Sequence, residues 1–256
     1  MNKTVSFAKR NLKEMCRDVL SYIFCLAFPI VMLIIMTLVN ESIPAEANMT
    51  IFRIDNLLGG IIIFGQTFVM LFTTLSVSKD RETSFLMRLY ASPMKSKNFT
   101  VGYFLPMILI ALAQATVAIA ASFVISLIVG VKLNLPGVLL SIVISVPSGI
   151  MFIGIGVLFG TIFNSNAAPG LCSIVISLGS FLGGIWFDAE GTGGVLYKIC
   201  KCLPFIYCTK SVRSAIVMDF SKEAFVMPLF VVLAAAIVLT VLASAVFKTK
   251  MKADLK

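Results

Sequence analysis

Histidine is missing from this 256-residue chain, and Asp, Glu, Lys and Arg together supply only 13% of it. A soluble globular domain carries about 25% charged residues. A chain that is 59% hydrophobic, with a mean hydropathy of +1.02, cannot cover its surface in water without them. It reads as an integral membrane protein. None of the 17 glycines is followed by lysine, so a G-x-x-x-x-G-K-[ST] phosphate loop cannot exist, and the chain cannot bind ATP by that route. Without histidine there is also no Cys/His ligand spacing for a metal.

The gaps between charges define the apolar runs: Val19 to Asn40, Asn56 to Ser78, Asn98 to Val131, Leu133 to Phe187 and Ala224 to Phe247. A helix needs roughly 20 apolar residues to cross a bilayer. Four of these runs hold one span each, and the 55-residue fourth run holds two, turning at Asn164-Ser165-Asn166 and Pro169-Gly170. The expected fold is an all-α integral membrane protein with six transmembrane helices, at about 19–39, 57–77, 103–129, 138–163, 169–186 and 226–247. Residues 1–18 form an N-terminal amphipathic interfacial helix, 19–247 the transmembrane domain and 248–256 a basic tail.

No expected span contains an Asp, Glu, Lys, Arg or His. A charge at the bilayer centre costs about 2.5–3.5 kcal/mol on insertion scales and usually marks an ion or proton pathway. The empty interior argues against a proton-coupled transporter. It argues equally against a membrane-embedded hydrolase, because the many serines have no base to activate them. No catalytic residue is assigned.

Fourteen of the 21 Lys and Arg residues fall on one side: Lys3, Lys9, Arg10, Lys13 and Arg17 at the N-terminus, five around Asp80, and four in the tail. By the positive-inside rule both termini and the Asp80 loop are cytoplasmic. The net charge of +9 follows from that bias and the anionic lipid beside it, so it gives no reason to invoke nucleic acid. The first 18 residues are polar and charged, so the first span, rather than a cleavable signal peptide, is the expected targeting signal.

Along the chain, Val5, Ala8, Leu12, Met15, Cys16 and Val19 form the apolar stripe of the N-terminal helix, with Lys9, Arg10, Lys13, Glu14 and Arg17 opposite. Asn48-Met49-Thr50 matches a glycosylation sequon by pattern. Gly156-xxx-Gly160 in the fourth span suits close helix packing. Between Asp188 and Glu223, residues 195–218 are too apolar for a plain loop. They read as two short helices broken at Pro204-Phe205, an outer re-entrant segment before the last span. A disulfide among Cys200, Cys202 and Cys208 is open.

One charged stretch lies between two long apolar blocks: Asp80 to Pro93. It reads as a short helix whose start Thr83 or Asp80 can cap and which Pro93 stops. Phe85, Leu86 and Leu89 share a face, with Arg81 and Arg88 beside it, which suits docking to a soluble partner. A solvated loop helix that merely obeys the charge rule is the other reading.

Asp80-Arg81-Glu82-Thr83-Ser84-Phe85-Leu86-Met87-Arg88-Leu89, followed by Ala91-Ser92-Pro93, resembles the cytoplasmic signature of the type-2 permeases of ATP-binding-cassette (ABC) exporters. Arg81, Glu82, Leu86, Arg88, Leu89 and Pro93 match it, while Ser84 stands where glycine is usual and Phe85 where threonine is usual. Pro204, Phe205 and Tyr207, with Arg213, resemble the family's outer re-entrant segment. The resemblance implies that Asp80 to Leu89 is a coupling helix seated in a separate ATPase. It further implies two ATPase copies that bind the ATP and Mg, a second permease, identical or related, and a plasma-membrane location. No cofactor is held by this chain itself. The substrate path implied runs along the second and fifth spans, past Gln66, Thr67, Phe68, Phe72, Ser173, Ser177, Ser180 and Phe181. Such a path suits amphipathic or hydrophobic cargo: a drug, an antimicrobial peptide, or lipid-linked or polysaccharide material. The same side chains could instead simply bond between helices. An ATP-independent channel or secondary carrier is the alternative function.

Overall fold

The computed structural model describes residues 3–44, 50–83 and 96–254, and every regular element among them is helical. Helix α1 (Lys3–Met15) precedes a nearly continuous helix built from α2 (Val19–Tyr22), a π turn (Ile23–Ala27) and α3 (Phe28–Ser42). Asp18 caps α2 by accepting from the Leu20 N–H at 3.1 Å. The π turn sits where Pro29 has no N–H to donate to Cys25, so the ladder widens by a residue instead of breaking.

Next come α4 (Ile54–Glu82), α5 (Ser96–Val129), and α6 (Leu135–Ile144) with α7 (Val146–Ile162), one rod interrupted at Ser145 just before Pro147. Then follow α8 (Ala168–Leu182), α9 (Ala189–Thr192), α10 (Gly194–Cys202), α11 (Pro204–Val217), a second π turn (Lys222–Val226) and α12 (Met227–Asp254).

Among the described residues, five helices are long and apolar enough to cross a membrane: Ile23–Ser42, Ile54–Glu82, Asn98–Val129, Leu135–Ile162 and Lys222–Lys250. The chain is a multi-pass membrane protein. The helix at the expected fifth span is only 15 residues long. At about 1.5 Å per residue it reaches about 22 Å, short of the roughly 30 Å hydrocarbon core. It stops at Leu182 rather than 186 because Gly183 and Gly184 follow, and Gly184 turns the chain with φ +65°.

Helix α4 is the axis of the bundle, in contact with α3, α5, α7, α8 and α11. Leu57, Leu58, Ile61, Ile62 and Met70 along it are fully buried. Its closest neighbour is α7, across Gly156 and Gly160. A Cβ on Gly156 would lie 2.7 Å from the Met70 carbonyl oxygen, and one on Gly160 would lie 2.6 Å from that of Thr74. Only glycine permits this approach, which gains dispersion contact where lipid supplies no hydrophobic drive. Large apolar side chains such as Leu38, Leu127 and Phe230 project outward from α3, α5 and α12.

Helix α1 is rotated from its expected orientation. Val5 and Cys16 are exposed, and the buried stripe is Phe7, Ala8, Asn11 and Met15, because α1 packs on α5. The Phe7 ring stands edge-on to Phe99 and Tyr103, at 5.6 and 5.1 Å. All six cysteines are free thiols, so Cys200, Cys202 and Cys208 are not bridged.

Candidate functional site

Asp80, Arg81 and Glu82 do not begin a separate helix; they are the last turn of α4. No proline or glycine interrupts the chain between Gly65 and Glu82, so the backbone ladder runs on past the apolar block. The Thr83 N–H and hydroxyl both turn back to the Lys79 carbonyl, at 3.0 and 2.9 Å, and close that end. Ser84, Phe85, Leu86, Arg88 and Leu89 lie outside the described residues.

Each of these three side chains is bonded within the bundle. Asp80, only 4% exposed, accepts from Arg10 Nη1 at 2.7 Å, Arg10 Nη2 at 2.9 Å and the Tyr103 hydroxyl at 2.7 Å. A bidentate guanidinium and a phenol satisfy a carboxylate that would otherwise be costly to bury. Burial alone pulls the Arg10 guanidinium pKa down, but the hydrogen bond and charge of Asp80, with Glu14 behind, outweigh it and leave the value raised. Asn11, one residue on and 1% exposed, donates to the Gly102 carbonyl of α5 at 3.2 Å. Arg81 Nη1 donates to the Gly160 carbonyl of α7 at 3.3 Å. Glu82 accepts from the Ser165 N–H at 2.7 Å and its hydroxyl at 2.5 Å, gripping the turn between α7 and α8.

A successive turn of one helix therefore reaches α1, α5, α7 and the α7–α8 turn. Beside it opens a cavity of about 610 Å³ whose walls join Met15, Phe72 and Leu75 to Glu14, Arg17 and Lys79. The apolar and ionic parts of that lining match a molecule with an apolar body and a charged end.

The expected path residues do not form one wall in this chain. Gln66 points into the bundle and donates to the Ser145 carbonyl at 2.9 Å, where α6 meets α7. The Thr67 hydroxyl bonds to the Phe64 carbonyl of its own helix at 2.6 Å. Phe68 is part of an aromatic cluster with Phe24, Phe28 and Phe64, and Phe72 lines the cavity just described. On α8, Ser173, Ser177 and Phe181 are exposed on the outer face, whereas Ser180 is buried and bonds to the Ile176 carbonyl at 2.6 Å.

At the far end of α4, Pro204 opens α11, Phe205 stacks on Phe152 at 5.9 Å, and the Tyr207 hydroxyl donates to the Lys201 carbonyl at 3.0 Å. Arg213 reaches from α11 to the Asn56 carbonyl on α4 (2.9 Å) and the Gly184 carbonyl after α8 (3.0 Å). Nearby, Glu190 pairs with Lys210 and accepts from the Tyr197 hydroxyl at 2.8 Å. No group of three or more His, Cys, Asp or Glu able to hold a metal occurs among the described residues.

Sequence reasoning missed Arg10, Tyr103 and Ser165 as members of the Asp80 site. Arg10 counted there only as one more cation on a polar face, and nothing local distinguishes it from Lys9 or Lys13. Tyr103 carried a signal, being a hydroxyl-bearing ring at the charged end of a span.

A family model described as ABC-2 type transporter matches residues 2–217, and no curated protein sequence matches the chain.

Proposed function

Because the chain belongs to the ABC-2 type transporter family, as a transmembrane permease component, we propose that it is the membrane half of an ATP-driven exporter. In this reading a separate ATPase, present in two copies, holds ATP and Mg and seats the Asp80 to Leu89 segment. A second permease, identical or related, completes the transport path, and both termini face the cytoplasm at the plasma membrane. The cargo is an amphipathic or hydrophobic molecule that enters through the cavity beside Phe72 and leaves by alternating access.

One observation carries the reading: the turn that precedes the docking segment is bonded to four other parts of the bundle. A push from the ATPase on residues 84–89 enters at Glu82 and is delivered at once to α1, α5, α7 and the α7–α8 turn. Such a hub favours rigid-body movement over local yielding. Asp80, Arg81 and Glu82 then transmit, while Phe85, Leu86, Arg88 and Leu89 do the docking.

The test is co-expression with the candidate ATPase, followed by pull-down and transport-coupled hydrolysis. Arg88→Ala should weaken ATPase capture. Glu82→Ala should leave capture and membrane insertion intact but lower cargo-stimulated hydrolysis. Unchanged capture and stimulation in both variants would show that this segment is not the coupling element.

A further inference from the structure

Packing on α5 covers only one side of α1. A second apolar edge, Val5, Leu12 and Cys16, recurs at i, i+7 and i+11 and stays outside that contact, with Val5 55% exposed. Beside this edge lies a groove of about 180 Å³. Leu12 and Cys16 form one wall, Cys25 and Leu26 of the first π turn another, and Leu109 and Ala113 of α5 a third. Every side chain lining it among the described residues is an apolar one or a thiol, which behaves as a small apolar group. Leu109, Ala113 and Cys16 are themselves exposed, so the groove can be entered from outside the bundle.

Two observations say what fills it. The first is continuity with the surface that α5 turns outward, where Val101, Leu105 and Leu109 follow at four-residue intervals, each about half exposed. The helix over Asn98–Val129 is long and apolar enough to cross a membrane, and so is the one over Ile23–Ser42 that carries Cys25 and Leu26. The outward surface of such helices is the one that hydrocarbon chains cover, and it runs into the groove at Leu109 without a charged side chain between.

The second is the charge at the α1 edge. Lys9 lies on that edge, four residues after Val5 and three before Leu12, and Lys13 follows one turn later; both are exposed. The acids at this end of α1 belong to the other cavity: Glu14 and Asp18 line the space beside Phe72, and Glu14 accepts from Arg10 Nη2 at 2.6 Å. Because α1 directly precedes the charge-free run from Val19, its lysines stand at headgroup depth. A groove that starts at hydrocarbon and ends beside two lysines complements a lipid with an anionic headgroup.

We propose that this groove seats an acyl chain of one anionic phospholipid from the leaflet beside α1, its phosphate drawn to Lys9 and Lys13. The site is independent of the exporter reading, since its test involves neither ATPase nor cargo.

Cys16 reports on the groove directly, and Cys202, the other exposed thiol, is the reference within the same chain. The full chain in non-ionic detergent is treated with a soluble maleimide together with dihexanoyl-phosphatidylglycerol, which is anionic, or dihexanoyl-phosphatidylcholine, which carries no net charge. Phosphatidylglycerol should slow the labelling of Cys16 and leave Cys202 unchanged. Phosphatidylcholine should need a concentration about tenfold higher for the same protection. The double variant Lys9→Gln/Lys13→Gln, confined to exposed side chains, should abolish that difference. Ala113→Phe fills the groove from an exposed position, so it should melt no lower than the parent while neither lipid changes its Cys16 labelling. If that variant does not fold, Leu109→Gln, which takes apolar wall away, should weaken protection by both lipids. Equal protection by the two lipids in the parent overturns the headgroup assignment. Protection of Cys16 and Cys202 alike, protection of neither, or protection that persists in Ala113→Phe overturns the groove.

Discussion

Tyr103→Phe tests the Asp80 hub without touching the surface an ATPase would meet. The Tyr103 ring is fully buried and keeps its neighbours in the variant, Phe7 at 5.1 Å and Phe247 at 6.3 Å. The change is confined to the hydroxyl, 2.7 Å from Asp80 Oδ2. A hydrogen bond to a charged acceptor contributes about 1.5–3 kcal/mol. Asp80 retains both Arg10 bonds, which places the loss at the lower end, about 1.5 kcal/mol. For a chain of this size that corresponds to a fall in unfolding midpoint of about 3–6 °C. Asp80→Asn is the stronger perturbation. It leaves Arg10, whose side chain is 30% exposed, without its counter-charge, and between the limits for exposed and buried pairs the loss is about 2 kcal/mol. Detergent-solubilised thermal unfolding reads both variants, and cargo-stimulated hydrolysis with the ATPase present gives a second measure. Tyr103→Phe should bind ATPase normally yet couple poorly. A midpoint within about 1 °C of the parent would refute the energetic reasoning. Full coupling would refute the role of Asp80 as a hub.

Gly156→Leu and Gly160→Leu should each prevent stable assembly, because the new side chain meets the Met70 or Thr74 carbonyl; a monodisperse, fully stable Gly160→Leu protein would show that α7 is not seated there. A soluble maleimide applied in detergent should label Cys16 and Cys202 at once, and Cys25, Cys172, Cys200 and Cys208 only after unfolding, with no need for reductant; masking of Cys202 until a reductant is added would reveal a bridge. Glu190 is raised by burial, but the hydrogen bonds from Lys210 and Tyr197 win and leave it below the ordinary carboxylate range. Its contribution is therefore complete above the unfolded value of about 4.3 and is lost as pH falls through the lower folded value. Burial and Glu190 push Tyr197 up to about 12, so its contribution holds below its ordinary value of about 10 and is lost as pH rises from there. The melting difference between the parent and Glu190→Gln should accordingly be flat from about pH 5 to 9 and vanish in acid; a difference that grows in acid would contradict the sign.

Charge gaps located the long helices well, because a bilayer leaves few places for an ion and the gaps are correspondingly sharp. The third and last expected spans, 103–129 and 226–247, lie inside α5 and the helix that follows Ser221. The expected break at Pro204-Phe205 coincides with the start of α11 at Pro204, since proline at a first helical turn is a local rule. Three features needed tertiary information. The apolar run ends the second expected span at Val77, whereas α4 continues to Glu82, because Asp80 finds partners on α1 and α5 that no local pattern names. Apolar periodicity leaves Asn11 out of the expected stripe of α1, but Asn11 is buried in it, paired with the Gly102 carbonyl. The apolar run of the fifth expected span extends to Trp186, yet Gly183-Gly184 ends the helix at Leu182. The resemblance puts the α4 path residues on one span without giving their direction, and helical geometry sends Gln66 towards the α6–α7 junction and Phe68 towards the aromatic cluster with Phe24 and Phe28.

An arginine is fastened near each end of α4, Arg10 at Asp80 and Arg213 at Asn56. The two fastenings are 24 residues apart, about 36 Å along the axis. Held in this way, the helix has little freedom to slide or unwind at one end alone; it can lean. A tilt of about 5° pivoted at one arginine displaces the other end by about 3 Å, comparable to the length of a hydrogen bond. In the proposed coupling the helix acts as a lever, and the carbonyls of Asn56 and Gly184 are where a movement begun at Glu82 would first be felt at its opposite end.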